Sequence, residues 1–200
     1  MTLEDFWMIL QRSAAETSSQ DQRTEWLTAH LARRPLTEII EFELHLAAQR
    51  KRVDTRLMWG AAWAIFQGWC SGDSFWYFQP WLVGLGRDSF EQIAADPDSL
   101  AETHEIRRLA GRPRSDWPDD EWPGWELLNY VALTAHQRAT GEEDGLDTAL
   151  EAQGLNRICD AFPEDERWDY NDIEQRRARL PRLTDLLGQH LTLDNSDSTE

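Results

Sequence analysis

Gly68 to Leu82 reads Gly-Trp-Cys-Ser-Gly-Asp-Ser-Phe-Trp-Tyr-Phe-Gln-Pro-Trp-Leu, and Arg87 follows one turn beyond it. The stretch gathers a thiol, Cys70, a carboxylate, Asp73, and the rings of Trp69, Trp76, Tyr77 and Trp81. Aromatic walls with a few polar groups are the ordinary make-up of a ligand pocket. A cysteine beside a helix N-terminus would have a lowered pKa, which suits a nucleophile. No histidine lies near Cys70 in sequence, so covalent chemistry would need a base from elsewhere. Ser71 or Asp73 can cap the helix that follows. The same rings also suit a buried junction between two helices, since indole buries a large area and needs a partner for its N–H.

Other candidate groups are weaker. Glu164, Asp165, Glu166, Asp169 and Asp172 form a dense carboxylate run, and Asp119-Asp120-Glu121 is similar. Neither has the glycine turn and alternating spacing of a calcium loop. Repulsion between like charges favours solvent exposure for both. The five histidines are His30, His45, His104, His136 and His190, and no two are close enough to pair as zinc ligands along one helix. There is no phosphate-binding loop, dinucleotide fingerprint, zinc-protease motif or nucleophile elbow. The expectation is no cofactor and no metal.

The elements that must position these residues are helical throughout. Apolar residues recur at helical spacing from Phe6, and no run alternates with period two for long enough to make a strand. The segment from Thr55 to Gln67 is apolar on most faces, so it reads as a central helix that ends at Gly68. Pro80 would kink the next helix or mark the start of another. Asp96-Pro97-Asp98-Ser99 reads as a turn and cap for a helix to about Ala110. The basic run Arg50-Lys51-Arg52 suits the C-terminus of a solvated helix. Gly111 to Gly124 reads as a surface loop pinned by Trp117 and Trp122. Pro181 interrupts the last helical stretch, Tyr170 to Leu187. The predicted fold is all-α: a single irregular helical bundle of about eight helices around a Trp-rich central pair. Residues 1–140 form the helical domain, 141–191 an acidic helical extension packed on it, and 192–200 a disordered tail.

Composition narrows the function classes. The 200 residues hold 20 basic and 37 acidic side chains, a net charge of −17, with 11 tryptophans. Asp116 to Glu174 holds 17 acids and three bases. That charge argues against direct binding to nucleic acid, whose phosphates need a basic face. No apolar run reaches the roughly 18–20 residues of a membrane span. No leader is visible at the N-terminus, and Cys70 and Cys159 are too few for a disulfide scaffold. The expected setting is therefore cytoplasmic.

A resemblance enters on specific residues. Trp59-Gly60-Ala61-Ala62, the Gly68–Phe78 stretch, Trp81-Leu82-Val83, Gly86-Arg87, Asp96 to Ala101, Phe6-Trp7 and Trp125 to Ala132 are similar to a bacterial family common in actinobacteria. It is catalogued as domain of unknown function 4240. The resemblance covers roughly residues 3–140 and implies a helical, intracellular domain without supplying an activity. The family pattern usually reads Gly-Cys-Ser-Asp-Asp. Here Trp69 precedes Cys70, Gly72 stands where an acid is common, and Gln79-Pro80 replaces a position that is often Arg. An ion-pair site in the family would be partly lost in this chain.

Two functions follow as expectations. The first is an acidic binding or accessory protein, antitoxin- or immunity-like, that holds a protein partner, possibly a basic one, through its Asp116–Glu174 face. The second is a small-molecule binder or enzyme whose pocket is lined by Trp69, Cys70, Asp73, Trp76, Tyr77, Trp81 and Arg87.

Overall fold

In a computed structural model, residues 1–157 and 160–188 are described. Cys159, His190 and the tail expected at 192–200 lie outside them. The described residues form eleven α-helices and four 3₁₀ turns, with no strand. The all-α expectation holds, with more and shorter helices than the eight expected.

Most early helices begin where a short polar side chain can take up a free backbone N–H. Thr2 and Asp5 make a reciprocal capping box at α1 (Leu3–Glu16). Ser19 caps α2 (Gln20–Leu31), Pro35 precedes α3 (Leu36–Arg52), and Thr55 caps α4 (Arg56–Ile65). Ser71, and not Asp73, caps α5 (Gly72–Gly84): its hydroxyl accepts from the Ser74 N–H at 3.1 Å. Pro80 sits within α5 without dividing it.

Gln67 and Gly68 turn the chain out of α4 with φ of 57° and 86°. The strained residue is Gln67, because glycine adopts that region freely. Its amide clasps the far loop, donating to the Arg112 carbonyl at 2.7 Å and accepting from the Arg114 N–H at 3.0 Å. The same loop is held by rings: Trp117 meets Trp122 edge-on at 5.4 Å, and Trp122 stacks on Phe66 at 5.4 Å.

The helix expected from Ser99 to Ala110 is broken. Asp96 caps a 3₁₀ turn, Pro97–Glu102, and Thr103 then caps α7 (His104–Leu109). α6 (Arg87–Ala95) precedes this turn. A 3₁₀ turn, Glu126–Tyr130, leads into α8 (Val131–Thr140), and α9 is Gly145–Glu151. The last helical stretch is two elements, α10 (Ile173–Arg179) and α11 (Pro181–Leu187).

One core links nearly all of these elements. Phe6, Phe42, Phe66, Phe75, Phe78 and Phe90 are fully buried, and Leu180, Leu183 and Leu187 of α11 belong to the same cluster. Arg23 knots three helices at one edge. Its guanidinium donates to Ser13 Oγ, to the Leu10 carbonyl and to the Gly84 carbonyl, and it lies 4.5 Å from the Trp125 ring.

The acidic runs are partly spent on capping. Asp165 accepts the Arg56 N–H at 2.8 Å, at the start of α4. Trp168 then packs against Gly60, where a β-carbon would sit 2.1 Å from its ring. Asp98 is buried and takes the N–H groups of Arg182 and Leu183 at 3.0 and 2.9 Å, plus Arg182 Nε at 3.0 Å. Arg182 also pairs with Asp96 and Glu102. Asp98→Ala removes three charge-assisted bonds from the α11 N-terminus. Urea unfolding is expected to show a loss of about 3 kcal/mol, with hydrogen exchange in α11 rising before that in α5.

Candidate functional site

The Gly68–Arg87 corner does not gather into one pocket. α5 alone spans 13 residues, about 20 Å at the rise of an α-helix, with Cys70 before its start and Arg87 beyond its end. Successive side chains along it also point in different directions. Trp69 is half exposed and stacks on Arg114 at 5.0 Å. Cys70 is buried, and desolvation pushes its thiol up to about 12, opposite to the lowering expected from a helix N-terminus. A thiol held protonated is a poor nucleophile at neutral pH. Asp73 is exposed. Tyr77 lies at the surface, its phenol pushed up by partial burial and by a hydrogen bond with Glu126. Trp81 is buried against Phe78 at 5.4 Å. Arg87 pairs with Glu4 of α1 and lines a cleft of about 630 Å³ between α1 and the α5–α6 turn. Trp76 differs from the rest: it leaves this corner for the interior, where its ring lies 3.0 Å from the Arg50 guanidinium.

That contact leads to a polar interior built by α3, α8 and α9. Ile39, Phe42, Glu43, Leu46 and Arg50 make the buried stripe of α3. Glu43 thus occupies a position that should be apolar, and only 4% of it is exposed. Desolvation raises its carboxyl to about 7, against the pull of Arg157 and Arg50, while Asp147 pushes the same way as burial. Arg157 is aimed by two neighbours: its Nε sits 3.3 Å from Asp147 Oδ1, and its guanidinium lies 5.9 Å from the Tyr130 ring.

α8 and the 3₁₀ turn that leads into it supply two further buried polar groups. Asn129 of the turn and Ala132 and His136 of α8 are all buried. The His136 ring lies against Gly145, where a β-carbon would be 2.6 Å from it. Glycine at the first residue of α9 is what lets that helix approach the imidazole. Glu43 Oε2, both amide atoms of Asn129 and His136 Nδ1 have no hydrogen-bond partner among the described residues. Leaving a buried polar group unpaired costs about 1–3 kcal/mol each. Each such atom marks a place where water or a ligand can complete the bonding.

Sequence reasoning passed over this site. Arg50 belongs to a run whose sequence suits a solvated helix end, yet it is buried, while Lys51 and Arg52 make surface pairs with Asp54 and Glu91. The available signal was a carboxylate and a guanidinium falling on the apolar stripe of α3. Arg157 carries no such signal, since only the fold brings it to Glu43. Among the described residues, no group of three or more histidine, cysteine or acidic side chains is placed to hold a metal ion, and no helix is long and apolar enough to cross a membrane.

Residues 1–138 match the family model described as Protein of unknown function (DUF4240), and the chain belongs to that family. No curated protein and no solved structure matches it. Glu43, Arg50, Trp76, Asn129 and His136 lie inside the matched region, and Asp147 and Arg157 lie beyond it.

Glu43 sets a pH signature. Its folded pKa, about 7, lies above the ordinary 4.5. Between those values the folded chain holds a proton that the unfolded chain has lost. Stability therefore falls as pH rises through that window, by up to about 3 kcal/mol. Glu43→Gln is expected to flatten this slope and to be more stable than the parent chain above pH 7. Urea midpoints across the window check it, and an unchanged slope in the variant would show the carboxyl to be hydrated.

Proposed function

We propose that this member of the family is a small-molecule-binding domain whose ligand sits in the polar interior between α3, α8 and α9. The observation that carries the reading is the set of buried, unpartnered atoms on Glu43, Asn129 and His136. A core with no task for them would be more stable with apolar side chains of similar shape. Support also comes from orientation. The Arg50 guanidinium lies against Trp76, and that of Arg157 against Asp147 and Tyr130, so the charged groups around Glu43 are fixed by the fold. The free Cys70 thiol suits the reducing cytoplasm as the setting.

Native mass spectrometry of the purified chain, followed by denaturing extraction, is expected to release one small compound. Asn129→Leu keeps the fold and loses that compound. A chain that carries none, and whose Tm no compound of a metabolite extract raises, contradicts the reading.

A second reading rests on the surface. Phe162 is 73% exposed between Asp160 and Glu164, within the region of net charge −14. An apolar anchor among carboxylates suits a basic protein partner, as an antitoxin- or immunity-like role would require. Such a complex is expected to weaken steeply with salt and to weaken further with Phe162→Ser. An affinity indifferent to both would remove the acidic face as an interface.

A further inference from the structure

We infer that the cleft between α1 and the α5–α6 turn is a second ligand site, and that it takes a free α-amino acid with an apolar side chain. The cleft holds about 630 Å³, an ordinary size for a small-molecule site. All its lining residues fall within the family match, residues 1–138. One part of it offers donors in want of an acceptor. α6 starts after Gly86, which has no side chain to cap it, and a β-carbon there would meet no atom within 4 Å. Arg87, Asp88 and Ser89 line the cleft, and their backbone N–H groups have no partner among the described residues. Free N–H groups at a helix start suit a carboxylate.

Two further lining residues point the same way. Trp7 packs on Phe90 of α6 with ring centroids 5.4 Å apart. It is 4% exposed, and its indole N–H, a donor only, has no partner among the described residues. Arg23 makes no ion pair among them either. Its guanidinium donates to Ser13 Oγ at 3.3 Å and to the Leu10 and Gly84 carbonyls at 3.4 and 3.0 Å. Those bonds leave spare N–H donors on the guanidinium, held two residues from Gly86. Burial lowers Arg23 to about 10. A desolvated cation without a counter-ion is costly, and a ligand carboxylate would supply one.

The other charges select the rest of the ligand. Arg87 pairs with Glu4, while Asp88 is exposed and makes no ion pair among the described residues. Arg23 and Arg87 against Glu4 and Asp88 leave the lining neutral in sum. A ligand of net charge would meet repulsion as well as attraction there. A zwitterion sets each end against its opposite, carboxylate toward Arg23 and the α6 N–H groups, ammonium toward Asp88. Met8, Leu10 and Leu85 give the side chain an apolar wall.

The test is an NMR titration of the ¹⁵N-labelled full chain with L-leucine and L-methionine. Beside them go 4-methylpentanoate, which is leucine without its ammonium, and 3-methylbutylamine, which is leucine without its carboxylate. At least one amino acid is expected to shift the Trp7 indole and Ser89 amide resonances to saturation. Both half-ligands should bind at least about tenfold more weakly. Asp88→Asn, a surface change, should weaken the amino acid by about tenfold or more and spare 4-methylpentanoate. If 4-methylpentanoate binds as tightly as leucine, the amino-acid class is wrong. No saturable shift, or shifts confined to α3, α8 and α9, would overturn the site itself. The reading of the polar interior stands or falls separately, on the compound retained by the purified chain.

Discussion

A carboxyl group withdrawn from water inside a helical bundle is among the costlier arrangements a small protein can keep. Glu43 is that group here, and much of the surrounding structure can be understood as what makes it tolerable. Its stripe on α3 also carries Ile39, Phe42 and Leu46, so α3 must be buried whether or not the carboxyl is welcome. The guanidiniums of Arg50 and Arg157 offset part of the cost without restoring an ordinary pKa. Each is itself held in place by a ring. Trp76 is fixed because α5 packs Phe75, Phe78 and Trp81 into the main core. Tyr130 is fixed where the 3₁₀ turn passes into α8.

The large-scale architecture was legible because it rests on local rules. Threonine and serine caps mark where helices start, Gly68 follows the end of α4, and Pro181 divides the last pair of helices. The loop of Trp117 and Trp122 reads from its prolines and indoles. The breaks that were missed came from local choices with two solutions. At Thr103 the chain starts a new helix because its hydroxyl takes up a free N–H, while the preceding turn tightens to 3₁₀.

The candidate site was much less legible, for a different reason. Residues 69 to 87 are close in sequence, yet a helix distributes neighbours around its axis and separates its ends. Trp76 faces Arg50, Tyr77 faces the surface, and Arg87 reaches α1. The charged residues that do converge on Glu43 are Arg50 of the same helix and Asp147 and Arg157 from the far end of the sequence, which only tertiary packing brings there. Acidic residues show the same contrast. Asp98 and Asp165 bond to helix starts far away in sequence, while their neighbours Glu164 and Glu166 stay in solvent.

The most direct measurement is a carbon-detected NMR titration of the Glu43 side-chain carboxyl, assigned by its loss in Glu43→Gln. A midpoint near 7 is predicted for a carboxyl desolvated between two guanidiniums. A midpoint near the ordinary 4.5 would mean that water reaches Glu43 freely, and the polar interior would then be a wet surface fold with no enclosed site.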